Sequence, residues 1–215
     1  MTTWILLRAA GIGAYLMLFM SVAWGLVATT SIVTKRVSKP AANMFHQFTA
    51  TTGLVLLAVH LGILLIDAYM PFKVLDLLVP MRSTFRPVAI TAGVIAMYSV
   101  VAVTVSSWMR KKLSTKVWRG IHLLAVPAFT LALAHGVFSG TDTERWWMWG
   151  MYALTGLLVV FLVLVRGLSY GYRPPRPAPP ERATRAPKPE AAPEAATDTA
   201  PEPAAAAEAP ARAPV

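Results

Sequence analysis

Residues 118–142 read WRGIHLLAVPAFTLALAHGVFSGTD, and residues 45–62 read FHQFTATTGLVLLAVHLG. Each stretch is mostly apolar and carries one histidine near each end: His122 and His135 in the first stretch, His46 and His60 in the second. These are all four histidines of the chain. Ionisable side chains inside long apolar segments are costly in a bilayer and tend to mark function. The two stretches therefore indicate where a functional site lies.

The composition of the whole chain is that of an integral membrane protein. Of its 215 residues 56% are hydrophobic and 14% charged, and the mean hydropathy is +0.55, outside the usual range of soluble domains. A bilayer core about 30 Å thick needs about 20 apolar residues per helix. Five segments meet this length, and we predict an all-α five-helix transmembrane bundle within residues 1–172. The predicted helices are 9–30, 43–70, 88–109, 118–138 and 147–165.

The first segment has a second interpretation, because it follows Arg8 near the N-terminus, as in a cleaved secretory signal. The apolar region of such a signal is only about 7 to 15 residues long and precedes a small-residue cleavage site. The run 9–28 is longer and lacks a clean site of this kind. We therefore expect a retained helix.

The distribution of charge predicts the orientation in the membrane. Basic residues without acids follow the first, third and fifth segments, whereas all four acids before residue 173 lie in the other two connections. Basic loops stay on the cytoplasmic side. We predict a multi-pass protein of the cell membrane with its N-terminus outside and its C-terminus in the cytoplasm.

Residues 173–215 are rich in Pro, Ala and Glu and have few large apolar side chains, so they cannot offset the entropy of ordering. We predict a disordered cytoplasmic tail, too short for a flavin- or nicotinamide-binding domain. Because it holds six basic and six acidic residues, the net charge of +10 belongs to the membrane part. Basic loops and anionic lipid account for that charge, and we do not expect nucleic-acid binding. The absence of Cys excludes iron–sulfur clusters and c-type haem attachment.

His46 and His60 are 14 residues apart, so they share a helix face and are separated by about 21 Å along the axis. Gly53 lies midway on that face, where the missing side chain lets a flat macrocycle or another helix approach. His122 and His135 are 13 residues apart, which places them about 140° apart around an ideal helix. Pro127 lies between them, and a kink there would realign the two side chains. Without such a kink, the two histidine side chains would point in different directions around the helix and would reach any bound metal ions from different sides.

The histidines match in depth as two pairs, His46 with His122 and His60 with His135. Each pair can supply two imidazoles to one haem iron, and the two irons would lie about 20 Å apart. A single histidine near a helix end is often an interfacial residue without a cofactor, but four paired histidines are harder to explain in this way. A proton relay is the main rival interpretation. Zinc or copper is less favoured, because Cys is absent and each helix holds its histidines far apart.

The two stretches resemble the ferric-reductase-like transmembrane domain, a family that includes ferric reductases, NADPH oxidases and the haem-bearing membrane subunit of methionine sulfoxide reductase systems. The resemblance lies in W-R-x-x-H followed by H-G in residues 118–142 and in the spaced histidines of 45–62, and extends over about residues 9–167. It implies two b-type haems, an inner one ligated by His46 and His122 and an outer one ligated by His60 and His135. Many members have six helices, and this chain has no fused flavin domain.

The resemblance also implies a function: single electrons pass from a separate cytoplasmic flavin reductase or a membrane quinol, through both haems, to an external acceptor. Arg119 is a candidate partner of a haem propionate, although an arginine at a cytoplasmic helix end is more often a topology residue. Two alternatives remain at this point. One is a haem-free transporter or proton-conducting protein that uses the same histidines, and the other is a membrane scaffold whose tail recruits a partner.

Overall fold

The computed structural model describes residues 2–28, 37–68 and 72–170. Within these ranges the chain is helical and contains no strand. The predicted disordered tail, 173–215, lies outside the described residues. The helices are α1 (Thr2–Val27), α2 (Lys39–Ile66), α3 (Val74–Leu78), α4 (Pro87–Trp108), α5 (Thr115–His122), α6 (Ala125–Ser139) and α7 (Trp146–Tyr170), with one 3₁₀ turn at Arg110–Lys112.

Five helical spans of the described chain are long and apolar enough to cross a membrane, which confirms the predicted number of spans. The fourth span consists of α5 and α6 together. The first helix begins at Thr2 rather than at residue 9, because the apolar residues 4–7 continue it on the N-terminal side of Arg8. Its first turn is held in place, since the Thr3 hydroxyl donates to Asp67 Oδ1 at 3.0 Å, just after α2 ends.

Local signals set the start of both histidine-bearing spans. Ser38 caps α2 by accepting a hydrogen bond from the Ala41 amide, and Pro40 occupies its first turn. Ser114 caps α5 in the same way by accepting from the Val117 amide. A serine N-cap satisfies one of the amides left unpaired at a helix start, and proline is tolerated there because its nitrogen needs no partner.

The fourth span is interrupted between α5 and α6, at Leu123 and Leu124. Pro127 lies four residues after Leu123, so its ring crowds the Leu123 carbonyl and it provides no amide for an intrahelical bond. The Leu123 carbonyl instead accepts from the Val126 amide at 3.3 Å, a tighter turn than the α-helix makes. The predicted local change of winding between His122 and His135 is therefore present.

Helix α1 is central to the bundle. It packs along α2 and also contacts α6 and α7, while α4 packs along α6. Its Tyr15 hydroxyl bonds Thr155 Oγ1 of α7 at 2.5 Å, and its ring stacks on Phe129 of α6 with centroids 5.6 Å apart. Among the described helices no comparable packing joins α2 to α4 or α6. A gap is therefore left between the helices that carry the histidines.

The two ends of the bundle differ in charge, and we call them the His46 end and the His60 end. The four acids of the described residues are Asp67, Asp76, Asp142 and Glu144, and they all lie at the His60 end. There Arg8 of α1 forms an ion pair with Asp142, and its guanidinium lies 4.0 Å from the Trp4 ring centre. The ion pair ties α1 to the connection between α6 and α7.

Candidate functional site

A cavity of about 1550 Å³ lies between the described helices, and all four histidines line it. Gly53 and Arg119, the other two predicted site residues, also belong to its lining. The structure therefore gathers the six predicted residues around one space. It does so mainly because α2 is attached to the bundle through α1 and stands apart from α4 and α6.

At the His60 end both imidazoles are held by the backbone of a neighbouring helix. His60 Nδ1 lies 3.0 Å from the Leu7 carbonyl oxygen of α1. His135 Nδ1 lies 2.9 Å from the Ala89 carbonyl oxygen of α4. A carbonyl oxygen only accepts, so Nδ1 carries the proton in each ring and Nε2 keeps a free lone pair. This tautomer is the one in which an imidazole binds a metal ion through Nε2.

At the His46 end the structure brings His46 and His122 together. Their ring centres are 6.0 Å apart and their planes are inclined by 65°. His46 Nδ1 lies 3.1 Å from the Ser21 carbonyl oxygen of α1, so this ring has the same tautomer as His60 and His135. Bonds from imidazole nitrogen to metal are about 2 Å long, so two rings at this spacing could both reach one metal ion. The spacing of this pair is therefore compatible with a shared metal ion.

Glycines provide the space in which three of the imidazoles lie. A Cβ atom on Gly93 would be 2.7 Å from His135 Nδ1, and one on Gly11 would be 2.9 Å from His60 Nδ1. A Cβ on Gly25 would be 3.6 Å from His46 Cε1, an ordinary contact. From the sequence alone, Gly11 and Gly93 would be interpreted as residues that permit close helix packing. For both glycines the close neighbour is a histidine ring, which the spacing along one helix does not reveal.

Gly53 and Arg119 have less specific surroundings. A Cβ on Gly53 would meet Met17 Cβ at 3.1 Å, so the close approach that this glycine permits is that of α1. Arg119 is exposed and lies on the cavity lining near the His46 end. Their roles toward a cofactor remain predictions.

The number and kind of metal-binding side chains decide whether the site suits a bare metal ion or a haem. The described part of the chain holds no cluster of three or more His, Cys, Asp or Glu side chains suited to a metal ion. A protein-only zinc site usually has three or four such ligands. Here the imidazoles at each end line a wide cavity. In three of the four rings the proton lies on Nδ1, so the Nε2 lone pair is free to bind a metal ion. These residues fit a haem, because the macrocycle provides the other four ligands of its iron.

The fold and the cavity define a class: a multi-pass α-helical membrane protein with paired histidines along an internal space. The family model described as the ferric reductase like transmembrane component matches residues 10–133, more than half of the chain. The chain therefore belongs to this family, which confirms the resemblance seen in the sequence. The match includes His46, His60 and His122 and ends two residues before His135. No curated protein and no solved structure was found to match the chain.

Proposed function

We propose that the protein is a bis-haem b membrane cytochrome that carries electrons across the cell membrane. Membership in the ferric reductase like family supports transmembrane electron transfer as the general function. The observation that carries the finer proposal is the pairing of His46 with His122, whose ring centres are 6.0 Å apart beside a large cavity. His60 and His135 line the same cavity toward its other end.

The proposed ligand sets are His46 with His122 for one haem and His60 with His135 for the other. Bound haem would supply reversible one-electron chemistry at its iron. The chain's own residues hold the imidazoles: the carbonyls of Leu7, Ser21 and Ala89 each accept from an Nδ1 and so direct Nε2 away from the backbone. Hydrogen bonds of this kind also raise the basicity of the ligand.

In the proposed orientation the His46 end faces the cytoplasm and the His60 end faces outward. The basic residues support it, because Arg110, Lys111 and Lys112 lie at the His46 end together with Lys116 and Arg119. Electrons would then enter from a separate cytoplasmic flavin reductase or a membrane quinol and leave to an external acceptor. The lipid bilayer surrounds the exposed apolar faces of the helices.

The test is to purify the chain in detergent, record the reduced-minus-oxidised visible spectrum and quantify haem per chain. We expect a b-type spectrum and about two haems per chain, since two bis-histidine sites are available. Single alanine variants of His60 and His135 should lose the outer haem, and variants of His46 and His122 the inner one. Full haem content in all four variants would contradict the ligand sets. Absence of haem from cells that supply it would favour a haem-free proton or solute pathway.

A further inference from the structure

His122 differs from the other three histidines in how its ring is held. Its Nδ1 atom is buried and has no hydrogen-bond partner within the described residues. The Nδ1 atoms of His46, His60 and His135 each lie within 3.1 Å of a backbone carbonyl oxygen on a neighbouring helix. The hydrogen bond that fixes ring rotation at three sites is therefore missing at the fourth.

A stack of side chains replaces that hydrogen bond. The Trp118 indole lies against the His122 ring, with centroids 5.0 Å apart and planes inclined by only 28°. On the indole, the Arg110 guanidinium carbon lies 4.4 Å from the ring centroid. Trp118 and His122 are four residues apart on α5, so they share one face of that helix. Arg110 comes from the 3₁₀ turn before α5 and holds the indole against that face.

The position of His122 in the chain favours such support. Helix α5 has only eight residues, and the break before Pro127 separates it from α6. The last turn of such a short helix has few intrahelical hydrogen bonds beyond it, so its backbone restrains a side chain less than the middle of a long helix does. The stack supplies a contact over a whole ring face instead of one hydrogen bond.

We infer that Trp118, held under Arg110, is the positioning residue for His122 and takes the place that a backbone carbonyl has at the other three histidines. This inference rests on the proposed function, because it concerns the orientation of a haem ligand. Without an acceptor at Nδ1, the His122 imidazole is also a less basic ligand than its three counterparts. A less basic ligand would stabilise ferric iron less, so a haem held by His46 and His122 would have the higher midpoint potential of the two.

The experiment compares Trp118→Leu, which removes the flat ring, with Trp118→Phe, which keeps a ring and removes the indole N–H. The matched control is Trp146→Leu, since Trp146 is 85% exposed and is not part of the cavity lining. The readouts are haem per chain, the low-spin EPR signals and the two midpoint potentials. For Trp118→Leu we expect loss of about one haem per chain, with the lower-potential haem unchanged. Trp118→Phe and Trp146→Leu should keep both haems.

A second variant tests the same positioning role even if Trp118→Leu does not fold. Arg110→Gln should keep both haems and shift the EPR signal of the higher-potential haem alone, because the guanidinium that holds the indole against the His122 ring is removed. Two haems in Trp118→Leu with both EPR signals and both potentials unchanged would overturn the positioning role. Equal loss of both haems in Trp118→Phe would overturn it as well. A wild-type protein without haem would instead overturn the proposed function, so the two failures are distinguishable.

Discussion

At the residue scale, the site depends on glycines whose missing side chains leave room for the histidine rings. Gly11 on α1 and Gly93 on α4 lie so close to His60 and His135 that any side chain would displace the imidazole. Displacing the ring would also lengthen its hydrogen bond to the Leu7 or Ala89 carbonyl, which fixes its tautomer. These two glycines therefore affect the position of the two proposed ligands, although neither glycine has a side chain.

The first prediction concerns Gly93→Ala. The added Cβ would lie 2.7 Å from His135 Nδ1, so the ring must shift. Overpacking of this kind costs about 1 to 3 kcal/mol. We expect a lower thermal unfolding temperature in detergent and loss of the outer haem before the inner one.

The matched control is Gly62→Ala, because a Cβ on Gly62 meets nothing within 4 Å. This change should leave haem content unaltered and raise helix stability slightly, since alanine is favoured over glycine in a helix by about 0.5 to 1 kcal/mol. Equal behaviour of the two variants would contradict the role assigned to Gly93.

A second residue-scale prediction concerns Tyr15→Phe. It removes the buried hydroxyl that bonds Thr155 and leaves the rings of Phe129 and Tyr152 in contact with the substituted ring. Thr155 Oγ1 retains its bond to the Met151 carbonyl, so no orphaned donor results. We expect a loss of about 0.5 to 1.5 kcal/mol in unfolding free energy and no change in haem content. Loss of either haem would mean that this contact also shapes the site.

At the scale of the helices, the break between α5 and α6 decides where His122 lies. On an ideal helix His122 and His135 would be about 140° apart. In the structure both line one cavity, with His122 opposite His46 and His135 beside Ala89. The interruption at Leu123 and Leu124 thus lets one span contribute to both of the proposed ligand pairs.

The prediction at this scale is that Pro127→Ala favours one continuous helix. Alanine is about 3 kcal/mol more favourable than proline in a helix interior, and it restores the missing amide. His122 should rotate away from His46, so the inner haem is lost while the outer haem stays. Haem per chain and the EPR signals measure this.

Pro40→Ala is the control, because Pro40 lies in the first turn of α2, where no intrahelical bond is missing. That variant should keep both haems. Retention of both haems in Pro127→Ala as well would show that the break is not what directs His122.

At the scale of the whole molecule, charge separates the two ends of the bundle. The absence of cysteine makes orientation directly measurable, since any introduced thiol is unique. In intact cells a membrane-impermeant maleimide should label Glu144→Cys, whereas Lys111→Cys should react only after lysis; both native residues are exposed. The opposite labelling would reverse the direction proposed for electron transfer.

The last prediction concerns residues 173–215. Among the residues that the structure describes, those that line the cavity lie between Trp4 and Arg166. A chain that ends at residue 172 should therefore bind as much haem as the full chain, with the same spectrum. A loss of haem on truncation would mean that the C-terminal residues contribute to the site, and a loss of only electron delivery would support partner recruitment through the tail.

Much of this protein follows from its sequence alone. Hydropathy and length determine five spans, because the bilayer requires a fixed number of apolar residues per helix. Helical spacing predicts that His46 and His60 share a face, and the position of Pro127 predicts a change of winding in the fourth span. The family is also readable from the histidine-bearing stretches, since both pattern and spacing are local properties.

Only the tertiary structure decided what each histidine contacts. The carbonyls of Leu7, Ser21 and Ala89 come from other helices, and every residue has such a carbonyl, so no sequence pattern distinguishes them. The same holds for Gly93 beside His135, which lie 42 residues apart in the chain. Sequence periodicity describes one helix at a time, whereas the orientation of these imidazoles depends on how two helices pack.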